Sequence, residues 1–273
     1  MADTPVRALQ ATVRGRGPAV VLLHGQPGTG HDWRWVAPLL DDRYTVVIPD
    51  RPGYGRTGGT ATGFAGNARA TIELLDRLGC ERAVLVGHSW AGAVAQAAAS
   101  AHPERVSGLV LVSSVGPGEH LGWDDRILAA PVVGDAIAAT AIGGLGLLLG
   151  RDRVQAFAGR HLAGRPYEAV VALTRLTRGG SRVWRSFVTE QRALMDELEL
   201  LGPALGRIAA PTVVLHGDAD RLVPPAVAES LAAAIPNSTL RLVPRVGHLL
   251  PHDRPHEVAL AVDRVMRRPG DSG

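Results

Sequence analysis

Apolar and polar positions follow two different periods along most of this chain. Runs that are apolar at nearly every position are typical of strands buried on both faces of a sheet. Such runs cover residues 19–23, 44–48, 82–86, 106–113, 211–216 and 239–243, and an outer strand is predicted at 6–13. Longer stretches between them predict helices over residues 32–40, 64–78, 91–97, 225–234 and 255–267.

This alternation of strands and helices predicts an α/β fold with a doubly wound, mainly parallel sheet. Right-handed crossovers place the carboxyl ends of such strands at one edge, where sites form. The alternation stops at residues 117–207, which instead show apolar helical stretches at 127–141, 154–162, 167–176 and 183–194. We therefore expect a core of residues 1–116 and 208–273, with residues 117–207 inserted as a helical cap.

One strand passes into a helix with no room for a loop. The strand ends in Gly87-His88-Ser89, and a stretch of small residues begins at Ala91. Ser89 must then occupy a sharp turn that presents its hydroxyl at the strand's carboxyl end, which is the geometry of a nucleophile elbow. The usual pattern, G-x-S-x-G, ends in glycine, and Ala91 is small enough to keep the prediction. Alone, the motif is weak, because such turns also serve packing.

Residues that could activate Ser89 follow two later strands. A serine nucleophile needs an adjacent base, and the base needs an orienting carboxylate. On this type of sheet the order along the chain is serine, acid, histidine. Asp220 follows the strand at 211–216, and His248 follows the last strand. Singly, Asp220 fits a capping or turn residue and His248 an ordinary loop histidine; together, in the required order, they predict a triad.

Two backbone N–H groups are predicted to form an oxyanion hole. The first is that of Trp90, directly after Ser89. The second belongs to the loop His24-Gly25-Gln26-Pro27-Gly28, where Gln26 is the best candidate because Pro27 has no N–H. His24 is expected to hold this loop rather than to take part in the chemistry.

The chain resembles α/β-hydrolase-fold enzymes, in the serine-nucleophile group similar to cofactor-free haloperoxidases and esterases. Four segments spread over nearly the whole chain carry the resemblance: His24 to Gly28, Asp50-Arg51-Pro52-Gly53-Tyr54-Gly55, the Ser89 elbow, and Gly217 to Pro224 with Gly247-His248. It implies the α/β-hydrolase fold, with Ser89 as nucleophile, Asp220 as acid and His248 as base. Asp220, rather than Asp218, matches the family pattern G-x-x-D-x-x-x-P.

The same resemblance implies roles for two further segments and argues against two related activities. The loop at residues 50–55 is implied to be structural, without a role in the chemistry, and residues 117–207 are implied to be the lid that shapes an acyl pocket. Epoxide hydrolases and haloalkane dehalogenases of this fold carry an aspartate nucleophile, so Ser89 argues against both activities.

Composition excludes several other functions. All 29 basic residues are arginine, and they are spread along the chain without the clustering and aromatic partners of a nucleic-acid surface. The single cysteine, Cys80, allows no intrachain disulfide. We see no signal peptide, and the apolar stretch at 137–149 is too short to span a bilayer. Neither metal-ligand spacing nor a phosphate or dinucleotide motif is present. We expect a cytoplasmic protein without membrane partner, metal or cofactor.

The leading hypothesis is a serine hydrolase that cleaves a carboxylic ester, lactone or thioester through an acyl-enzyme on Ser89. Perhydrolysis, acyl transfer and carbon–carbon bond hydrolysis would use the same triad, and a non-hydrolytic binding or cyclase-like member of the fold is the alternative from another class. The expected substrate is a small molecule with a partly hydrophobic acyl group; the oligomeric state is not indicated. Candidates to line the pocket, for which ordinary packing is the alternative, are Ile142, Leu145, Leu147, Leu148, Leu149, Trp33, Trp123 and Trp184.

Overall fold

A computed structural model describes residues 7–118, 121–144 and 182–267. Its centre is a seven-stranded sheet with the order β1-β3-β2-β4-β5-β6-β7. Strand β1 runs antiparallel to β3, and the other neighbouring strands are parallel, which confirms the predicted α/β fold. The strands are β1 (Ala11–Arg14), β2 (Ala19–Leu23), β3 (Thr45–Pro49), β4 (Ala83–His88), β5 (Val106–Val112), β6 (Thr212–Gly217) and β7 (Ser238–Val243).

Helices cover both faces of the sheet. They are α1 (Phe64–Arg77), α2 (Trp90–Ala101), α3 (Trp123–Ala129), α4 (Val133–Ala138), α5 (Arg182–Glu197), α6 (Gly202–Leu205), α7 (Pro225–Ala234), α8 (Leu250–Asp253) and α9 (Pro255–Met266). In β2, Val21 and Leu23 belong to a buried cluster that includes residues of α1, α2 and α7, whereas Val20 and Leu22 belong to a second cluster, which includes residues of α9. The continuous apolar run of this strand follows from burial on both sides.

The predicted helix at 32–40 is wrong. The chain forms two 3₁₀ helices there, Gly30–Trp33 and Ala37–Leu39. Pro38 has no N–H to donate to an α-helical carbonyl, so the ladder is interrupted. The N–H of Leu39 instead donates to the carbonyl of Val36, at 3.0 Å, with the three-residue spacing of a 3₁₀ helix.

The continuous helix predicted at 127–141 is also wrong. Helix α3 ends at Ala129, α4 begins at Val133, and a π-helical turn covers Ala139–Gly144. The break lies at Pro131, because proline disfavours a helical conformation at the residue before it. Ala130 accordingly has the extended torsions φ −60° and ψ 130°.

Between β5 and β6, every regular element in the part of the chain that the structure describes is helical. We call α3, α4, α5 and α6 the helical segment. Helix α5 is its longest member and packs against both α3 and α4. The helices predicted at 154–162 and 167–176 lie outside the described residues, as do Leu145, Leu147, Leu148 and Leu149.

Candidate active site

Ser89 lies on a sharp turn between β4, which ends at His88, and α2, which begins at Trp90. Its torsions are φ 55° and ψ −125°, a region that residues with side chains rarely adopt. A side-chain carbon at Gly87 would collide with the carbonyl oxygen of Ala91. After Ser89, a side-chain carbon at Gly92 would collide with the hydroxyl of Ser114. The turn therefore needs small residues on both sides of Ser89, which is why the sequence pattern could predict it.

His248 and Asp220 meet Ser89 at the carboxyl edge of the sheet. His248 Nε2 lies 2.9 Å from Ser89 Oγ, and His248 Nδ1 lies 2.8 Å from Asp220 Oδ2. Because a carboxylate only accepts, Nδ1 carries the imidazole proton and Nε2 is free to accept the serine hydroxyl. We call this arrangement the Ser89–His248–Asp220 chain. The structure thus brings together the three side chains that the sequence singled out, in an order that can pass a proton from serine to histidine.

Asp220 is buried and held on several sides. Its Oδ1 accepts hydrogen bonds from the backbone N–H groups of Leu222 and Val223 at 2.9 and 3.0 Å. Its Oδ2 also lies 3.3 Å from Nε2 of the fully buried His216. Burial alone would raise the pKa of the Asp220 carboxyl, but the hydrogen bonds from His216, His248 and Val223 hold that pKa below its usual range. Asp220 is consequently a carboxylate at neutral pH.

The neighbouring Asp218 does not reach His248 and has a different partner. Its Oδ1 accepts the backbone N–H of Arg245 at 2.6 Å, which ties the loop after β6 to the loop after β7. The side chain is exposed. Of the two aspartates in this loop, only Asp220 contacts the histidine.

His88, directly before Ser89, supports the loop that carries His248. The ring is buried, and its Nε2 donates to the carbonyl oxygen of His248 at 3.1 Å. Burial, together with the nearby His248, lowers the pKa of His88 to about 3. His88 therefore stays neutral and adds no positive charge beside His248.

The loop after β2 lies against the Ser89 turn. A side-chain carbon at Gly25 would lie 3.2 Å from Ser89 Cβ, so the backbone of this loop approaches the turn closely. The N–H of the next residue, Gln26, is the donor that the sequence predicts. The second predicted donor, the N–H of Trp90, belongs to the first residue of α2 and has no intrahelical carbonyl to bond.

His24 holds this loop, as expected. Its ring is buried, with Nδ1 donating to the carbonyl of Gly25 at 2.9 Å and Nε2 accepting the backbone N–H of Arg51 at 2.9 Å. Burial, and next the charge of Arg51, lowers the pKa of His24 well below its usual value, so the ring is neutral.

A buried charged group beside the site was missed by the sequence analysis. Arg51 and Glu190 form an ion pair with side chains 1% and 0% exposed, and the hydroxyl of Tyr54 donates to Glu190 at 2.7 Å. We call these three residues the Arg51–Glu190 cluster. Glu190 lies on the buried face of α5, between Val183 and Leu194. A carboxylate at a position where the helical period predicts an apolar residue could have indicated a buried ion pair.

The tryptophans proposed as pocket lining take three different positions. Trp33 is fully buried in the core, with its ring nearly perpendicular to that of His88, and so lines no pocket. Trp123 is 77% exposed on α3. Trp184 is half-buried on α5, with the guanidinium of Arg185 over its ring.

Comparison with known proteins identifies the family. The model of a family described as "Alpha/beta hydrolase family" matches residues 20–262. The chain belongs to this family. No helix among the described residues of this α/β hydrolase is long and apolar enough to cross a bilayer.

Named relatives of this α/β hydrolase include enzymes of different specificity. It is 30% identical over 270 residues to the 2-hydroxy-6-oxo-6-phenylhexa-2,4-dienoate hydrolase of Comamonas testosteroni, covering 93% of this chain and 90% of the relative. It is 31% identical over 261 residues to the magnesium-chelatase 30 kDa subunit of Rhodobacter capsulatus, covering 89% and 83%. A thermophilic esterase from Thermogutta terrifontis superposes with a TM-score of 0.69 at 25% identity, covering 94% and 92%. The family and most of these relatives support a hydrolase.

Proposed function

We propose that this protein is a serine hydrolase that cleaves carboxylic esters, lactones or thioesters. The observation that carries the proposal is the Ser89–His248–Asp220 chain, with its two contacts of 2.9 and 2.8 Å. A serine hydroxyl is a weak nucleophile until a base can take its proton. Here the base is in contact with the hydroxyl, its other nitrogen is fixed by a buried carboxylate, and the serine stands on a strained turn.

Acylation follows from this geometry. Ser89 Oγ forms a bond to the substrate carbonyl carbon while its proton passes to His248 Nε2, and the carbonyl oxygen becomes an oxyanion. The carbon–leaving-group bond then breaks, and the leaving group takes the proton from His248. Asp220 stabilises the imidazolium without being protonated. Water resolves the acyl-enzyme by the same steps in reverse, with its proton passing through His248 to Ser89.

Stabilisation of the oxyanion is assigned to the backbone N–H groups of Gln26 and Trp90. Both lie next to Ser89 in space or in sequence, and removing such a donor typically costs about 3 kcal/mol of transition-state stabilisation. We also propose that residues 117–207 act as a cap over this edge. The contacts of α5 with the side chains of Gln26 and Trp90 support that role.

Hydrolysis of a carbon–carbon bond is the second candidate. It is favoured by one observation, the 30% identity to a hydrolase named for 2-hydroxy-6-oxo-6-phenylhexa-2,4-dienoate. The likeness to an esterase at 25% identity favours the first candidate.

The first experiment compares Ser89→Ala with wild type on p-nitrophenyl esters of increasing acyl length. We expect ester turnover by wild type and a loss of roughly 10⁵-fold or more in the variant, together with mass-spectrometric labelling of Ser89 by a fluorophosphonate. Ser100→Ala is the matched control, because Ser100 lies on the same helix α2 and its hydroxyl donates to the carbonyl of Ala97 in the preceding turn. Turnover retained by Ser89→Ala would refute the mechanism.

A second assay separates the two candidates. Wild type is offered the dienoate that gives the Comamonas testosteroni relative its name, beside the best ester of the series, and the two kcat/KM values are compared. A higher value for the ester supports the proposal, whereas a higher value for the dienoate replaces it by carbon–carbon bond hydrolysis. Adding peroxide or an alcohol to the ester assay shows by product analysis whether water is the preferred acceptor.

A further inference from the structure

The Arg51 side chain contacts both the loop after β2 and helix α5. Its Nε donates to the carbonyl of His24 at 2.7 Å and its Nη2 to the carbonyl of Gly25 at 2.9 Å. Its Nη1 donates to Glu190 Oε1, and Nη2 lies 3.3 Å from Glu190 Oε2. One planar guanidinium therefore binds three acceptor groups, two carbonyls and one carboxylate. The ammonium group of a lysine could not match this planar arrangement.

These contacts fix a peptide group that matters for the chemistry. The carbonyl of Gly25 and the N–H of Gln26 are two ends of the same planar peptide unit, and they point in opposite directions. The carbonyl accepts hydrogen bonds from both Arg51 Nη2 and His24 Nδ1. These two hydrogen bonds restrain rotation of the peptide plane, so Arg51 and His24 together fix the direction of the Gln26 N–H.

Helix α5 also holds the side chains that flank the proposed oxyanion hole. Gln26 Nε2 donates to the carbonyl of Phe187 at 2.8 Å, and Trp90 Nε1 donates to the carbonyl of Glu190 at 3.1 Å. The guanidinium carbon of Arg51 lies 4.6 Å from the centre of the Trp90 ring. A single turn of α5 thus contacts the residues that carry both predicted donors.

Stability alone does not account for this ion pair. Removing two charges from water costs about as much as their attraction returns, and apolar side chains of similar volume would fill the same space as well. Burial raises the pKa of Glu190, opposed by Arg51 and Tyr54. The Arg51–Glu190 ion pair is costly to bury and hydrogen-bonds to the Gly25–Gln26 peptide beside Ser89. Positioning of that peptide explains the pair better than stability does.

We propose that Arg51 and Glu190 are positioning residues for catalysis, through which helix α5 orients the Gln26 N–H towards the oxyanion. This inference rests on the proposed function, since it concerns the same oxyanion hole. Arg51 belongs to the loop at residues 50–55, so this inference gives the loop an effect on the rate of the chemical step. The family resemblance implied only a structural role for the loop.

The test measures kcat and KM of Glu190→Gln on the best ester, per active site titrated with the fluorophosphonate. Glutamine keeps the volume but removes the charge that fixes Arg51. We expect kcat to fall by about 10-fold, because small errors in donor geometry are costly in the transition state, with KM within about twofold of wild type. Affinity for an aryl trifluoromethyl ketone, whose adduct with Ser89 carries an oxyanion, should fall by the same factor, while affinity of the product acid stays unchanged.

Three further variants make the result specific. Arg192→Gln, on the same helix, removes an ion pair with Asp135 of α4 that does not touch the loop after β2, so its kcat should equal that of wild type. Tyr54→Phe keeps the ion pair and should lose at most about twofold. Arg51→Lys keeps the charge but not the fork, and should lose kcat as Glu190→Gln does, which keeps the test decisive if Glu190→Gln does not fold.

Two results would overturn the inference. In one, the folded variants Glu190→Gln and Arg51→Lys match wild type in kcat and in ketone affinity per titrated site. In the other, Arg192→Gln loses as much kcat as they do, which would make the effect one of general helix packing. A wild-type protein that neither turns over esters nor labels at Ser89 would instead refute the proposed function itself, before any variant is compared.

Discussion

The Ser89–His248–Asp220 chain and the Arg51–Glu190 cluster are both buried and polar, yet they end differently. The chain finishes at the hydroxyl of Ser89, which can leave His248 and bond to something else, and His248 keeps 14% of its side chain exposed. In the cluster, both carboxylate oxygens of Glu190 already accept from Arg51 and Tyr54, and no side chain is more than 1% exposed. An arrangement with an open end can react, whereas a closed one can only hold its neighbours.

The largest effect is expected from breaking the chain at its acid. Asp220→Asn presents an N–H to His248 and favours the wrong imidazole tautomer, which should lower kcat by about 10⁴-fold with little change in melting temperature. Asp218→Asn is the matched control in the same loop, because an amide oxygen can still accept the N–H of Arg245. Steady-state kinetics on one ester checks both. Equal losses in the two variants would mean that the loop, rather than the carboxylate facing His248, matters.

Breaking the closed cluster should affect stability first. Arg51→Met leaves the buried Glu190 without its cation, and we expect the free energy of unfolding to fall by about 3–5 kcal/mol. The double variant Arg51→Met/Glu190→Met removes both charges and should recover most of that loss while kcat stays low. Urea unfolding followed by circular dichroism gives both values. A double variant no more stable than the single one would show that the charges are not coupled.

A smaller effect is expected at His216, which contacts the chain from behind. His216→Phe removes the imidazole whose Nε2 lies 3.0 Å from the carbonyl of Val223 and 3.3 Å from Asp220 Oδ2, and should lower kcat/KM by about 10-fold. His216→Gln keeps an N–H donor and should lose less. The pKa of Asp220 is depressed in the folded protein, so its carboxylate adds stability above about pH 4 that is lost as the pH falls. His216→Phe should therefore be less stable than wild type at neutral pH and lose less stability below pH 4. A parallel pair of stability curves would contradict this.

The smallest effect is expected at Ser113, where backbone strain can be tested apart from the catalytic reaction. Ser113, at the end of β5, has a φ of 44°, and its buried hydroxyl has no hydrogen-bond partner among the described residues. Ser113→Gly relieves the backbone strain and removes the unpaired hydroxyl, and these gains exceed the cost of the entropy that glycine adds to the unfolded chain. Thermal unfolding should therefore show a net gain of about 1 kcal/mol, with ester turnover unchanged. Ser89 also has a positive φ, 55°, and belongs to the Ser89–His248–Asp220 chain. A fall in kcat for Ser113→Gly would mean that strain at both strand ends serves the reaction.

The sheet and the three residues of the chain were predictable because each depends on local pattern and on order. Buried parallel strands are apolar runs, and Ser89, Asp220 and His248 each follow one of them. The Arg51–Glu190 cluster was not predictable in this way, since Arg51 and Glu190 are 139 positions apart and belong to a loop and to a helix. Only the packing of α5 against the core, which no short motif encodes, brings them together.

The two wrong helix predictions have local causes that the spacing of apolar residues does not show. Residues 32–40 and 127–141 both have helical spacing of apolar positions, and each contains one proline, Pro38 and Pro131. At Pro38 the missing N–H interrupts the helical hydrogen bonds, and at Pro131 the ring disfavours a helical conformation at Ala130, so the spacing of apolar positions decided neither stretch.

The way in which α5 is seated has a consequence for building chimeric enzymes. Ser186 and Glu190 bond to the loop at residues 50–55, and Glu197 accepts the N–H of Phe64 at the start of α1. By these contacts α5 is joined to loops of the core as well as to α3 and α4, although by chain order it lies within residues 117–207. A graft that exchanges the proposed cap should rejoin the host chain before Arg182 rather than at residue 207, so that α5 keeps its contacts with the loop after β2 and with the loop at residues 50–55.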